Sequence, residues 1–286
     1  MKRILSLLVF CLSLSVYAQK AEMEQPMLET MRPGDKAAVV VVHTNKSDAA
    51  TSQWCTRFDE HIRGVLPTCA FFEASIARSM ENPLPSPDQL LDQLAKDGYT
   101  HVLMQSSCIT EDDDMLYLRL VVDENKGAFK HLRLGEPLLS NQADYETVAR
   151  AATDIAGQGK ETCVLVCKGI EGEANAPYAL LGYIMQSKVA PTWQVATIGG
   201  FPSQESLIQM LQVQKNKKVR LIAFSPDMLA SVATEWVKQL GKAGIKATTD
   251  PNSLLNQEAI FSLFAQHARH AEQFRRLNPK ELKLMR

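Results

Sequence analysis

Six consecutive apolar residues, Ala37 to Val42, open the first patterned stretch of the chain, and four of them are valine. A half-exposed strand would alternate apolar and polar side chains. An uninterrupted β-branched run instead predicts a central strand of a parallel sheet, covered on both faces. Runs of the same character recur at Thr100 to Gln105, Thr162 to Cys167 and Val219 to Phe224. Helices fit between them: 49–65, a second from Ser86 or Asp88 through Lys96 with Gly98 as its stop, then 176–186, 204–214 and 229–243.

The second half repeats the plan of the first, so the pattern predicts two similar α/β lobes. Strands alternating with helices form βαβ units, and such sheets bind ligands beyond the carboxyl ends of their strands. The loops of interest follow Val42, Gln105, Val166 and Phe224, together with Ile198 to Pro202, and a cleft between lobes is the default ligand site. We divide the chain into residues 1–18, 19–35 as an exposed lead-in, 36–150 as an N-terminal lobe, and 151–286 as a C-terminal lobe with a terminal helix.

Residues 1–18 read as a secretory signal. Met1-Lys2-Arg3 is a basic start, the run to Val16 is apolar but too short for a permanent span, and Val16-Tyr17-Ala18 suits cleavage. A lipid anchor on Cys11 is disfavoured by the bulky Phe10 before it. The expected location is the periplasm or the outer-membrane surface, with peripheral membrane association and self-association both open.

Formal net charge is −1, and basic residues cluster only at the tail, among them Arg269, Arg275, Arg276 and Lys280. That distribution argues against nucleic acid as a partner. Five cysteines follow the signal, so at least one is unpaired. Cys55 and Cys69 flank one helix and are candidates for a bridge, whereas Cys163 and Cys167 lie within an apolar strand and read as packing residues. No zinc spacing occurs and no histidine stands in a ligand motif, so no metal site is expected in the protein alone.

Several segments, in order, resemble the sirohydrochlorin cobaltochelatases of the CbiK type. Gly98-Tyr99-Thr100-His101-Val102 with Gln105 is similar to that family's G-Y-T-x-V-x-x-Q strand. Leu134-Gly135-Glu136-Pro137-Leu138-Leu139 resembles its L-G-x-P-L-L, and Asn175-Ala176-Pro177-Tyr178 its A-N-x-x-Y; Trp236, Gly244-Ile245 and His267 also fall in place. The resemblance implies two flavodoxin-like lobes with parallel sheets, of the class II chelatase kind, and a tetrapyrrole site between them. It places this chain near cobalamin biosynthesis by descent.

The departures from the pattern fall on the chemistry. Where the family has G-H-G-T, this chain has Cys167-Lys168-Gly169-Ile170, so Lys168 replaces a metal-handling histidine. The acidic residue before G-x-P falls on Gly199. The V-A-G-D-H loop expected after Leu221 is absent, replaced by Ala223-Phe224-Ser225-Pro226-Asp227-Met228. F-G-T-S appears as Val42-His43-Thr44-Asn45, and Cys108 stands where Q-x-L-H-I has histidine. Chelation needs a base for the pyrrole protons and donors for the incoming ion. Neutral imidazole supplies both, and an ammonium group supplies neither.

The expectation is therefore a tetrapyrrole-binding protein, with haem the leading ligand and haem or iron acquisition, alongside envelope haem-uptake proteins, the setting. The competing expectations are a periplasmic cobaltochelatase or haem-directed chelatase with substitute ligands, and an interaction subunit without ligand. Candidate contacts to the macrocycle are His43, Thr44, Cys108, Lys168, Glu171 and Gly199. Lys168 would pair with a carboxylate of the macrocycle; the alternative is a surface lysine. His43 would meet iron or the ring edge, against a solvated loop histidine, and Cys108 would be an iron thiolate or a structural thiol. His267 and His270, spaced for one helix face, read as coincidence. Glu111 to Asp114 read as a solvated acidic turn, and Met104 and Met115 as core or lid residues.

Overall fold

The computed structural model of the protein describes residues 25–44, 49–76, 84–156, 161–169, 175–190 and 192–274. The signal sequence with Cys11, the residues Asn45, Ile170 and Glu171, and the basic tail from Arg275 lie outside the described residues.

The first sheet comprises β1 (Ala37–His43), β2 (Ala70–Ser75), β3 (His101–Ser106) and β4 (His131–Leu134), in the spatial order β2-β1-β3-β4. The second comprises β5 (Thr162–Lys168), β6 (Trp193–Ile198), β7 (Lys218–Ala223) and β8 (Lys246–Thr249), in the matching order β6-β5-β7-β8. Every pairing is parallel. The four strands legible as apolar runs are the four central ones. The edge strands escaped because a strand with one open edge carries polar residues, such as Glu73 on β2 or Lys246 and Thr248 on β8.

Helices follow as parallel strands require. In the first lobe these are α1 (Ala49–Arg63), α2 (Pro87–Lys96), α3 (Asp113–Asn125) and α4 (Gln142–Ala156). Ser86 caps α2 in a reciprocal box with Gln89, and Gly98 follows its end at φ 79°. In the second lobe they are α5 (Ala176–Ile184), α6 (Gln204–Val213) and a helical run through Leu229–Ser231, Val232–Trp236 and Val237–Lys242. A last helix, α7 (Glu258–Gln273), closes the described chain. No helix among the described residues is long and apolar enough to cross a membrane.

Strand alternation sorts the first core. Ala38, Val40, Val42, Val102 and Met104 pack with Leu90, Leu91, Leu94, Met115 and Leu118 of α2 and α3. Val39, Val41 and Leu103 face the other way, into an apolar cluster that is continuous with the core of the second lobe. Helix α7 makes this continuity. Its buried positions Ile260, Phe261, Phe264, Ala268 and Ala271 recur at helical spacing. Trp54 of α1 stacks on Phe58 at 5.1 Å and on Phe261 at 5.9 Å between ring centroids, with Phe264 edge-on at 6.4 Å. The indole N–H also donates to Leu255 O at 2.9 Å, so one side chain ties both lobes. Aromatic pairs of this kind add about 0.5–1.5 kcal/mol each beyond burial.

Three expectations change here. The division at 150/151 falls inside α4, and the terminal helix covers the first lobe because its apolar stripe matches α1. The lead-in is exposed in part, at Glu29 and at Arg32 to Gly34, but is docked at Met27. Met27 is fully buried, its N–H donates to Glu272 O at 2.8 Å, and Arg133 donates to Gln25 O at 2.9 Å. No disulfide joins Cys55 to Cys69; both are thiols, as are Cys108, Cys163 and Cys167.

Candidate functional site

The carboxyl ends of β5 and β6 bring Lys168, Gly169 and Gly199 together. Lys168 ends β5 in register with Ile198, and it is exposed. The next residue, Gly169, donates its N–H to Ile198 O at 2.9 Å, so the two loops leave the sheet side by side. Gly199 has φ 77°, and at Gly200 a β-carbon would lie 2.5 Å from Asn175 Nδ2. Only glycine fits there. Asn175 itself, at φ 46°, turns the chain into α5. The loop then closes through a cis Phe201–Pro202 peptide, with Thr197 donating to Pro202 O and Ser203 capping α6.

Across from this loop stands the amino end of α3. Asp112 caps it by accepting from Met115 N at 3.2 Å, and Thr110 donates to Asp112. The acidic stretch 111–114 is thus a helix cap and first turn, not a solvated turn. Carboxylates belong there because the helix end presents unpaired N–H groups and a positive dipole. Asp114 is pushed up by burial and by Asp112 and Asp113, while the Lys168 ammonium pulls it down. A lysine of the second lobe and an aspartate of the first therefore share one field. Tyr178 on α5 is buried beside it, edge-on to Phe224 at 6.3 Å, and its phenol is pushed above the usual range mainly by burial.

The first-lobe candidates separate. Thr44 sits at the strand end, half-buried, its N–H donating to Ser107 Oγ at 3.0 Å. Cys108 is buried beneath it, and desolvation, first among several causes, pushes its thiol up to about 12. That burial fits the structural-thiol alternative. His43 is fully buried, so the solvated-histidine alternative does not hold. Its ring contacts the Phe58 ring edge-on at 6.1 Å and lies beside Asp59 and Glu73. Three possible donor atoms, from His43, Asp59 and Glu73, converge at this point, where the sequence carries no ligand motif.

His267 and His270 do not converge. His267 is buried and pairs with Asp144 at 3.2 Å, whereas His270 packs on the Phe274 ring at 4.7 Å. Met104 and Met115 are core residues. Sequence reasoning missed Asp59 and Glu73, for which no motif signals a role, and read Asp114 as part of a solvated turn; their proximity to the sites is created by folding.

Two parallel four-stranded sheets of matching order define a two-lobed α/β protein of the chelatase kind. The chain belongs to the cobalt chelatase (CbiK) family, whose model matches residues 42–273. It is 27% identical over 216 residues to the sirohydrochlorin cobaltochelatase of Salmonella typhimurium, covering 71% of this chain and 81% of that protein. Among solved structures it resembles SirB from Bacillus subtilis with Fe3+, with a TM-score of 0.60 at 13% identity, covering 83% of this chain and 96% of that one. CbiX, the terminal enzyme of siroheme biosynthesis in denitrifying bacteria, gives a TM-score of 0.53 at 16% identity, covering 82% and 99%. Those two likenesses concern the fold.

Proposed function

We propose that this protein binds a carboxylate-bearing tetrapyrrole of the sirohydrochlorin kind where the strand ends of the two lobes meet, with Lys168 pairing with a peripheral carboxylate. The observation that carries this reading is the exposed ammonium at the carboxyl end of β5, opposite Asp114 of the other lobe. The family's tetrapyrrole chemistry supports it, and so does the loss of the donor side chains at Lys168 and Gly199. An ammonium can pair with a carboxylate on the macrocycle's rim, but neither it nor a glycine takes a proton from the pyrroles.

A second reading, cobalt insertion with substitute ligands, is favoured by membership of the cobalt chelatase family and by the Salmonella relative. Haem is the other macrocycle in the proposal. It goes with the signal-like residues 1–18 and with a role in haem or iron acquisition at the cell envelope, alongside uptake proteins or a membrane surface.

Titration of the protein with sirohydrochlorin and with haem, followed by the Soret band, tests the proposal. We expect saturable one-to-one binding of at least one; absence of both overturns it. An anaerobic assay with sirohydrochlorin and Co2+ then separates the two readings. A rate equal to the protein-free control leaves binding, and a faster one establishes insertion.

A further inference from the structure

On the first sheet, under α1, a histidine and two carboxylates meet. His43 ends β1 on the face it shares with Val39 and Val41. Asp59, one residue after Phe58 on α1, brings Oδ1 to 3.1 Å from His43 Nε2, and Glu73 on β2 brings Oε1 to 3.6 Å from the same nitrogen. The three donor atoms lie within 4.8 Å of one another.

His43 is fully buried, yet neither ring nitrogen has a hydrogen-bond partner of acceptable geometry, and Asp59 Oδ1 has none either. Buried polar atoms are nearly always satisfied, so a fully enclosed imidazole aimed at two carboxylates without a proper hydrogen bond needs an explanation. Convergence on a point between them, rather than on each other, is the geometry of ligands around an ion.

We propose that His43, Asp59 and Glu73 form a site for one divalent first-row transition-metal ion, held by an imidazole nitrogen and two carboxylate oxygens. Two carboxylates neutralise a divalent charge, which makes burial of the ion tolerable. The donor set is nitrogen and oxygen without thiolate, which suits ions such as Zn2+ and Co2+. Ca2+ wants six to eight oxygen ligands and Mg2+ a near-ideal octahedron with several waters. Access is from the sheet edge, since β2 is the outermost strand and the Glu73 side chain is 31% exposed. The site lies between the first sheet and α1, at the carboxyl end of β1, and does not rest on the tetrapyrrole reading.

The test uses the metal-stripped full chain without tetrapyrrole, titrated with Zn2+ by calorimetry and with Co2+ by its visible ligand-field spectrum. We expect one ion per chain and a loss of at least about tenfold in affinity in both Glu73→Gln and His43→Gln. Circular dichroism reports whether each variant is folded. Should His43→Gln misfold, Glu73→Gln and the imidazole nitrogen coupling in the electron paramagnetic resonance of bound Cu2+ decide. Binding that is not saturable, affinity unchanged in Glu73→Gln, loss of the Co2+ signal on cysteine alkylation, or absence of imidazole coupling each overturns the proposal.

Discussion

Gln105 Oε1 occupies the space that a β-carbon on Gly135 would need, 1.8 Å from it. The same amide donates through Nε2 to Ser106 O and Glu136 O, so it is held in place from both sides. Two segments distant in sequence, the end of β3 and the Leu134-Gly135-Glu136-Pro137 turn, are thereby one packing unit. Gly135→Ala should lower stability by about 1–3 kcal/mol through overpacking. Gln105→Ala in the same background should recover part of that loss, although it is itself destabilising. Urea midpoints at constant slope, arranged as a double-mutant cycle, measure the coupling.

At the strand ends of the second lobe, Lys168 supplies the positive charge opposite Asp114. Lys168→Glu replaces attraction for a macrocycle carboxylate with repulsion and sets two acids against each other. Sirohydrochlorin or haem affinity should fall by about tenfold or more, with the larger effect at low salt. Esterifying the macrocycle carboxylates should erase the difference between wild type and variant in the Soret titration.

Asp144 links α4 to α7 and confers a defined acid sensitivity. Burial pushes its carboxyl up, but His267 Nε2 at 3.2 Å and the backbone N–H groups of Ser140 and Asn141 at 3.0 and 2.9 Å outweigh it, holding it below the ordinary value. A carboxylate depressed in the folded state binds fewer protons there than when unfolded. Its contribution is therefore complete above about pH 4 and is lost as pH falls further. Asp144→Asn should flatten that acid limb and cost about 1–3 kcal/mol at neutral pH. Chemical denaturation across a pH series reads both.

Trp54 joins the lobes through its ring stack and its bond to Leu255 O. Trp54→Phe should remove mainly the hydrogen bond, about 1 kcal/mol, whereas Trp54→Ala should cost about 3–5 kcal/mol. If the lobes are stabilised together, both variants unfold in a single transition with fluorescence and circular dichroism coincident.

Apolar periodicity made β1, β3, β5 and β7 legible, because strands buried on both faces need uninterrupted apolar runs. The edge strands and α3 were not legible. Glu73 on β2 interrupts an apolar run, and α3 exposes Leu116 and Leu120 while its acidic start imitates a loop. Lys168 and Gly199 were located by their place in a motif, and the fold sets them on adjacent strand ends. His43 was located for the wrong surroundings, since a strand's last residue can face either a loop or a helix.

The sequence by itself determined the doubled α/β plan and the family, because each is written in local pattern or ordered motif. Only the tertiary structure decided that α7 returns to cover the first lobe, that Lys168 and Asp114 come within electrostatic reach of each other, and that Asp59 and Glu73 close on His43. Those are pairings between elements far apart in the chain. Their partners are chosen by which apolar faces must be buried together, and no local spacing records that choice.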